Sequence, residues 1–172
     1  MMEKAIALYL EDIEVGQTFE SSSHVLTIEE IKEFAGRYDP QFFHLDEELA
    51  VESLFGGLAA SGWHTAATTM RLLVQSVPFA RGLVGAGGEI SWPRATRPGD
   101  AIRLRSEVTA VTPSRSRPER GMVTLRCETV NQDGELVQVF SPKIVAWSKE
   151  GSDANFAVGS PSAAVLRRSN EG

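Results

Sequence analysis

The stretch that most constrains the fold is GWHTAATTMRLLVQSVP, residues 62–78, because apolar side chains occur all round its helical wheel. Between residues 53 and 80 the only charged residue is Arg71. A helix without a polar face is typical of a protein interior, since an exposed face would need polar side chains. The chain is therefore predicted to build the rest of its fold around this helix, which ends at Pro78.

Three long stretches of alternating polar and apolar residues follow the predicted helix. They are GGEISWPRATRPGDAIRLRSEVTAVTPS, RGMVTLRCETVNQDG and ELVQVFSPKIVAWSK, and their turn residues include Pro-Gly-Asp, Pro-Ser-Arg-Ser-Arg-Pro and Asn-Gln-Asp-Gly. Alternation with a period of two predicts antiparallel strands with one face on a core. We therefore expect an α+β fold in which one long curved antiparallel sheet wraps around a central apolar helix.

The segment before the central helix predicts one strand and two helices. Residues 17–26 are expected to form the first strand, after a turn at Gly16. Thr27, with a glutamate three positions later, has the capping-box pattern of a helix start, and Gly36 is the expected end of that helix. A short helix with Asp46 as its N-cap is expected next, broken by a glycine pair.

The chain length of 172 residues suits one domain with a single core. Residues 1–150 are expected to form that domain. Residues 151–172 are rich in Ser, Ala and Gly without a clear period, so they are predicted to be a tail that is flexible or docked on a neighbouring molecule.

Charge and composition exclude several classes of function. The formal net charge of -6 predicts no nucleic-acid partner, because surfaces that bind a duplex need clustered Lys and Arg. Cys127 is the only cysteine, which excludes an intramolecular disulfide; its place in an alternating run predicts a small core residue. The first sixteen residues are typical of neither a signal nor a transit peptide, and no apolar stretch is long enough to cross a bilayer. We expect a cytoplasmic protein with no membrane partner.

The stretch best suited to catalysis is RYDPQFFHLD, residues 37–46, which contains Asp39 and His44. Pro40 prevents continuation of a helix and favours a turn, so the two side chains can converge on one point. A carboxylate and an imidazole that hold the same water form a general acid-base pair. The alternative is a polar turn whose aspartate caps a nearby helix. Asp46 is expected to be a helix cap and not a third member of the pair.

An aspartate five positions before a histidine, then a glycine at the start of a central apolar helix, resembles the MaoC-like members of the hotdog superfamily. These include the R-specific enoyl-CoA hydratases. The resemblance covers roughly residues 9–148 and implies a hotdog fold. The family signature commonly has Asn-Pro between the aspartate and the histidine. This chain has Gln41 in place of the asparagine and Phe42 after it, so the motif DPQFFH resembles a variant of the signature.

The resemblance implies catalytic roles for Asp39, His44 and Gly62, the last lying eighteen positions after the histidine. Hydration of a 2-enoyl thioester needs a water deprotonated at C3, a proton delivered to C2, and a stabilised carbonyl oxygen. The two side chains would serve the first two needs, at about 10²–10⁴-fold for each proton transfer. The N–H of Gly62 would donate to the carbonyl oxygen. Ser61 would cap the helix or add a hydroxyl contact to the substrate.

The residues expected to bind substrate surround this motif. Phe42 and Phe43 would exclude water and shape the acyl channel, although plain core packing accounts for them equally well. Trp63 is expected to limit the depth of the acyl pocket. Arg94 is expected to meet the phosphates of coenzyme A or of an acyl-carrier thioester. Arg97, Arg103 and Arg105 lie in the same region, and solvated strand and turn charges are the alternative for each.

The remaining histidines are expected to be structural. His24 lies in the first predicted strand, and His64, near the start of the central helix, is expected to be a polar group with its hydrogen bonds satisfied. Three scattered histidines without a ligand spacing predict no metal site. The implied reaction needs no cofactor beyond coenzyme A as part of the substrate.

Two other functions stay open. A hotdog thioesterase usually carries a carboxylate on the central helix, but residues 62–78 contain neither Asp nor Glu. A non-catalytic subunit that binds acyl thioesters would keep the fold without turnover. Relatives with one such module form dimers, so a homodimer or a higher homo-oligomer is implied as well.

Overall fold

The computed structural model describes residues 7–149, and the predicted tail lies outside this range. Its helices are a 3-10 turn at Leu10–Asp12 and four α-helices, which are α1 (Ile28–Tyr38), α2 (Phe42–Leu45), α3 (Glu47–Ala50) and α4 (Gly62–Ser76). Its strands are β1 (Thr18–Glu20), β2 (His24–Val25), β3 (Val84–Ser91), β4 (Ala101–Pro113), β5 (Arg120–Val130) and β6 (Leu136–Trp147).

The six strands form one antiparallel sheet in the order β1-β4-β5-β6-β3, with β2 also pairing with β4. The predicted α+β class is confirmed. The expected first strand is split into β1 and β2. At the end of β1 the Leu104 N–H donates to the Ser21 hydroxyl and not to a backbone carbonyl.

The long strands follow the alternation seen in their sequence. On β4, Ile102, Leu104 and Val108 are buried, while Arg103 and Arg105 are exposed. Val123, Leu125 and Cys127 of β5 continue the buried face. One face of the sheet therefore covers the core and the other meets solvent.

Helix α4 lies against the inner face of the sheet, but the chain covers only one side of it. The covered side consists of His64, Thr65, Thr68, Thr69, Leu72 and Leu73. The opposite side exposes Trp63, Met70 and Val74. The prediction of a helix buried all round is therefore wrong for the single chain, because sheet and helix form only two layers.

The segment that leads to α4 follows its local signals, with one exception. The capping box at Thr27 and Glu30 is present, and the Asp46 carboxylate accepts from the amides of Glu48 and Leu49. Gly36 does not end α1, which continues to Tyr38. The helix ends instead just before Pro40, in keeping with the clash between a proline ring and a helical residue before it.

Strand β3 lies at one edge of the sheet, where only β6 pairs with it. Between the pairs Gly85–Ile144 and Gly88–Pro142, two residues of β3 lie opposite one residue of β6, and Gly87 has a positive φ of 125°. Such a bulge bends the strand. None of the helices described here combines the length and apolarity that crossing a bilayer requires.

Candidate active site

Asp39 and His44 are brought together by the turn after α1. Asp39 is the C-cap residue of α1, and His44 lies on the single helical turn α2. The Gln41 amide donates to the Asp39 carbonyl, which closes the turn. As a result Asp39 Oδ2 lies 3.4 Å from His44 Nε2. The predicted convergence of the two side chains is confirmed, although the histidine lies on a short helix and not on a loop.

The orientation of His44 is set by its other ring nitrogen. Nδ1 lies 2.7 Å from the carbonyl oxygen of Ala59, and the ring is only 4% exposed. Because a carbonyl can only accept, Nδ1 must carry the proton. In the neutral ring Nε2 therefore presents a lone pair toward Asp39.

The Asp39 carboxylate receives two further hydrogen bonds. The Ser61 hydroxyl donates to Oδ2 at 2.6 Å, and the Gln41 side-chain amide donates to Oδ1 at 2.7 Å. Burial acts to raise the pKa of Asp39, but these two donors and the neighbouring His44 outweigh burial and hold that pKa below its ordinary value. Asp39 is thus a carboxylate at neutral pH.

Gly62 is the first residue of α4 and follows Ser61, the serine that donates to the Asp39 carboxylate. Ser61 is the N-cap residue, and its side-chain oxygen accepts from the Trp63 amide at 3.2 Å. No protein acceptor for the Gly62 N–H is found within residues 7–149. A free amide at a helix N-terminus favours negative charge on a ligand.

These groups surround one cavity of about 380 Å³. Its polar wall includes Asp39, Gln41, His44 and Gly62, and its apolar wall includes Phe43 and Phe55. Thr65 and Thr96 also line it, with their hydroxyls bonded to each other at 2.9 Å. The cavity therefore combines a carboxylate beside an imidazole, a free backbone donor and an apolar lining.

The predicted substrate-binding residues divide into two groups. Phe43, Trp63 and Arg94 line the cavity. Phe42 lies outside this lining, is 47% exposed and contacts the edge of Phe43. Ser61 is buried and also lies outside the lining, so of its two predicted roles the structure shows the helix cap.

The arginines have different surroundings. Arg94 pairs with Glu135 at 3.0 Å at the exposed rim. Arg97 turns inward and donates to the carbonyls of Phe55, Gly57 and Leu58.

The Arg97 side chain therefore has a structural role, because it binds the backbone of the loop before α4. Arg103 and Arg105 line a separate depression on the solvent face of the sheet, away from the cavity. Their alternative interpretation, as solvated strand charges, agrees with this position.

Sequence reasoning missed Trp92 and Thr96 in the cavity wall and Ala59 as the partner of His44. Trp92 stood in an alternating stretch, where an aromatic residue indicates a strand side chain. The Ala59 contact uses a backbone carbonyl, for which the side-chain type carries no signal.

The other candidate residues lie elsewhere. His24 pairs with Glu30 at 3.3 Å. His64 stacks on Phe34, with ring centroids 4.7 Å apart. The expectation that its hydrogen bonds are satisfied is wrong for Nδ1, which is buried without a partner. Stacking occupies the face of the imidazole, whereas a partner for Nδ1 would have to lie in the plane of the ring.

Cys127 is a buried strand residue, as expected, and burial raises the pKa of its thiol to about 11. Such a thiol is not a nucleophile at neutral pH. Within the described part of the chain, no three His, Cys, Asp or Glu side chains are grouped so that they could hold a metal ion.

Comparison with known proteins identifies relatives of this chain. The family model described as MaoC like domain matches residues 12–131. The 3-hydroxybutyryl-CoA dehydratase of Methylorubrum extorquens is 32% identical over 145 residues, which is 81% of this chain and 88% of that protein. The protein YdeM of Bacillus subtilis is 31% identical over 138 residues, which is 78% of this chain and 94% of its own length.

Among solved structures, the MaoC-like dehydratase from Rhodospirillum rubrum is 56% identical to this chain. It aligns with a TM-score of 0.81 over 83% of this chain and 99% of that one. The expected hotdog fold is therefore confirmed. Together with the family model, these matches show that the chain belongs to the MaoC-like dehydratase family.

Proposed function

We propose that the protein is a hydro-lyase that adds or removes water across the 2,3 double bond of an enoyl thioester. The observation that carries this proposal is the convergence of three groups on one cavity: the Asp39 carboxylate, the His44 Nε2 lone pair and the free Gly62 N–H. A relative named 3-hydroxybutyryl-CoA dehydratase supports it.

In the hydration direction, Asp39 and His44 hold one water. The ionised Asp39 accepts a hydrogen bond from it, and the His44 Nε2 lone pair takes its second proton as the oxygen bonds to C3. The imidazolium that forms lies 3.4 Å from the Asp39 carboxylate, which stabilises its charge. The imidazolium then returns its proton to C2, so the net change is addition of OH and H.

The Gly62 N–H donates to the thioester oxygen while electrons move onto it. A donor of this kind is typically worth about 3 kcal/mol to the transition state. Phe43 and Phe55 keep bulk water from the reacting carbons. Arg94, half exposed at the rim, is placed to meet a phosphate of the carrier. No cofactor enters these steps.

The test is a hydration assay on trans-2-enoyl-CoA substrates of several chain lengths, in which the loss of enoyl absorbance measures turnover. We expect turnover with the unmodified protein and a loss of at least about 10²-fold in Asp39→Asn and in His44→Asn, the lower end of the effect of one proton-transfer group. His24→Asn is the matched control, because its pairing with Glu30 lies outside the cavity, and it should keep full activity. Absence of turnover on every chain length, in a folded protein, overturns the proposal.

The same assay separates the other two functions. A thioesterase would release free thiol, but α4 carries no carboxylate, and its side of the cavity offers Gly62, Trp63 and Thr65. A non-catalytic subunit would bind acyl-CoA tightly without changing it. Neither alternative predicts that Asp39→Asn abolishes loss of the double bond.

We also propose that the protein works as a homodimer. The open edge of β3 and the exposed side of α4 flank an apolar cavity of about 440 Å³, lined by Trp63, Met70 and Ile90 among others. An unpaired strand edge beside exposed apolar side chains is a ready pairing surface. A second copy would extend the sheet and cover the open side of α4.

A further inference from the structure

We infer that Trp92, anchored by Gln138, is a positioning residue that holds the Gly62 amide at the thioester carbonyl. The inference rests on the proposed hydration at this site and adds a residue pair to it. Neither residue belongs to the signature motif, and both lie far from it in sequence.

The first observation is a close contact between Trp92 and Gly62. A Cβ built on Gly62 would lie 2.9 Å from two carbons of the Trp92 ring, a distance that real Cβ atoms essentially never show. The ring therefore occupies the space that a side chain at position 62 would need. A side chain at position 62 would clash with the indole ring, so the tryptophan requires a glycine there.

The second observation is the anchor of the indole ring. Trp92 Nε1 donates to Gln138 Oε1 at 2.9 Å, and Gln138 is fully buried on β6. Its side-chain nitrogen has no partner among residues 7–149, so the amide makes only the bond to Trp92. A buried amide is costly unless it is hydrogen-bonded. The hydrogen bond to Trp92 therefore offsets part of the cost of burying the Gln138 amide.

The third observation is the position of the ring in the cavity. Trp92 lines the cavity beside Gly62 and meets the edge of Trp63 at 5.4 Å between ring centroids. The ring thus lies against the start of α4 at the cavity wall. A donor that is held in place before the reaction acts more strongly on developing charge.

The activity test uses Trp92→Phe, which removes the indole N–H, and Gln138→Met, which removes its acceptor at similar volume. We expect each to lower kcat by about ten- to hundredfold with a smaller change in KM, since a misplaced group costs up to about 10² in rate. Trp147→Phe removes an indole N–H that has no partner in the described structure, and it should leave kcat unchanged.

A spectroscopic readout separates positioning from general loss of structure. Butyryl-CoA, which has no double bond to hydrate, is bound with its carbonyl carbon labelled with carbon-13. A hydrogen bond from Gly62 lowers the infrared stretching frequency of this carbonyl. We expect Trp92→Phe and Gln138→Met to lose part of that lowering, and Trp147→Phe to keep it.

A double-mutant cycle tests the contact without any substrate. Gly62→Ala should lower the thermal midpoint of the protein strongly, and the same change in a Trp92→Leu background should lower it much less, because the clash is gone. Independent effects of the two substitutions would contradict the packing on which the inference depends.

The outcomes distinguish this inference from the proposed function. If the unmodified protein hydrates no enoyl-CoA, the proposed function fails and the positioning role falls with it. If it is active and Trp92→Phe retains the same kcat and the same carbonyl frequency, the hydratase assignment stands and the inference is overturned.

Discussion

At the scale of single residues, the proposed chemistry depends on how Asp39 is kept charged. Its carboxylate is partly buried, which by itself would favour the neutral acid. The donors Ser61 and Gln41 and the neighbouring His44 reverse that preference. Gln41 thus takes part in the site, and the departure from the common Asn-Pro signature keeps an amide donor beside the aspartate.

Ser61→Ala should shift the acid limb of the pH-rate profile to higher pH. The serine donates to the charged form, so its loss lets the pKa of Asp39 rise toward the ordinary value, and the active carboxylate is lost earlier as the pH falls. Loss of the α4 N-cap should also lower the free energy of unfolding by about 0.5–2 kcal/mol. Rates from pH 4 to 8 and urea unfolding measure the two effects.

The control for Ser61→Ala is Asp46→Ala, which removes the N-cap of α3 but no donor to Asp39. It should lower stability without moving the acid limb. An acid limb that stays in place in Ser61→Ala would show that the serine does not set the charge of Asp39.

At the scale of elements, the site is assembled from the turn after α1, the start of α4 and the loop between them. Residues 55–58 of that loop form no helix or strand, and Arg97 binds three of their carbonyls. The next residue, Ala59, holds the proton-bearing nitrogen of His44. The orientation of the imidazole therefore depends on an arginine that does not line the cavity.

Arg97→Met should lower both stability and kcat. Unmet carbonyls of a half-buried loop cost about 1–3 kcal/mol, and movement of Ala59 would free the His44 ring. Arg103→Met is the matched control, since Arg103 lies on the solvent face of β4. Thermal unfolding and the hydration assay measure both variants. The same thermal midpoint and the same kcat in the two variants would refute the structural role of Arg97.

At the scale of the whole molecule, the described part of the single chain leaves one side of α4 uncovered and the edge of β3 unpaired. Nearly every residue of β3 is exposed, although the strand runs for eight residues. Large apolar side chains of α4 face the same opening as this edge. In the proposed dimer, the apolar pattern all round α4 would reflect burial of one side against the sheet and of the other side against the second copy.

Val74→Asp should convert the protein from a dimer to a monomer. Val74 is 58% exposed on the open side of α4, and a charge there would have to be buried in the interface without a partner. Light scattering should give twice the mass of the 18.7 kDa chain for the unmodified protein and the chain mass for the variant. Val51→Asp is the matched control, 62% exposed and outside that surface, and should stay dimeric.

A light-scattering mass of one chain for the unmodified protein, at the concentration used in the assay, would refute the dimer. A dimer that persists in Val74→Asp would place the interface on another surface of the chain.

By itself the sequence determined the features that act between neighbours in the chain. The capping box at Thr27, the turn at Pro40 and the alternation of β4 and β5 depend on local geometry, and each was predictable. The spacing of Asp39 and His44 belongs to the same class, because one tight turn joins them. Gly36 failed as a helix end because a glycine only permits a left-handed turn and does not impose one.

Only the tertiary structure decided which distant residues complete the site and which side of α4 is covered. Ser61 reaches Asp39 across 22 positions, Arg97 reaches Phe55 across 42, and Trp92 reaches Gln138 across 46. These contacts depend on how the elements pack, and a hydropathy pattern records that a face is apolar without recording what covers it. The physical reason is that packing and hydrogen bonding act over a few ångströms in space, whatever the separation along the chain.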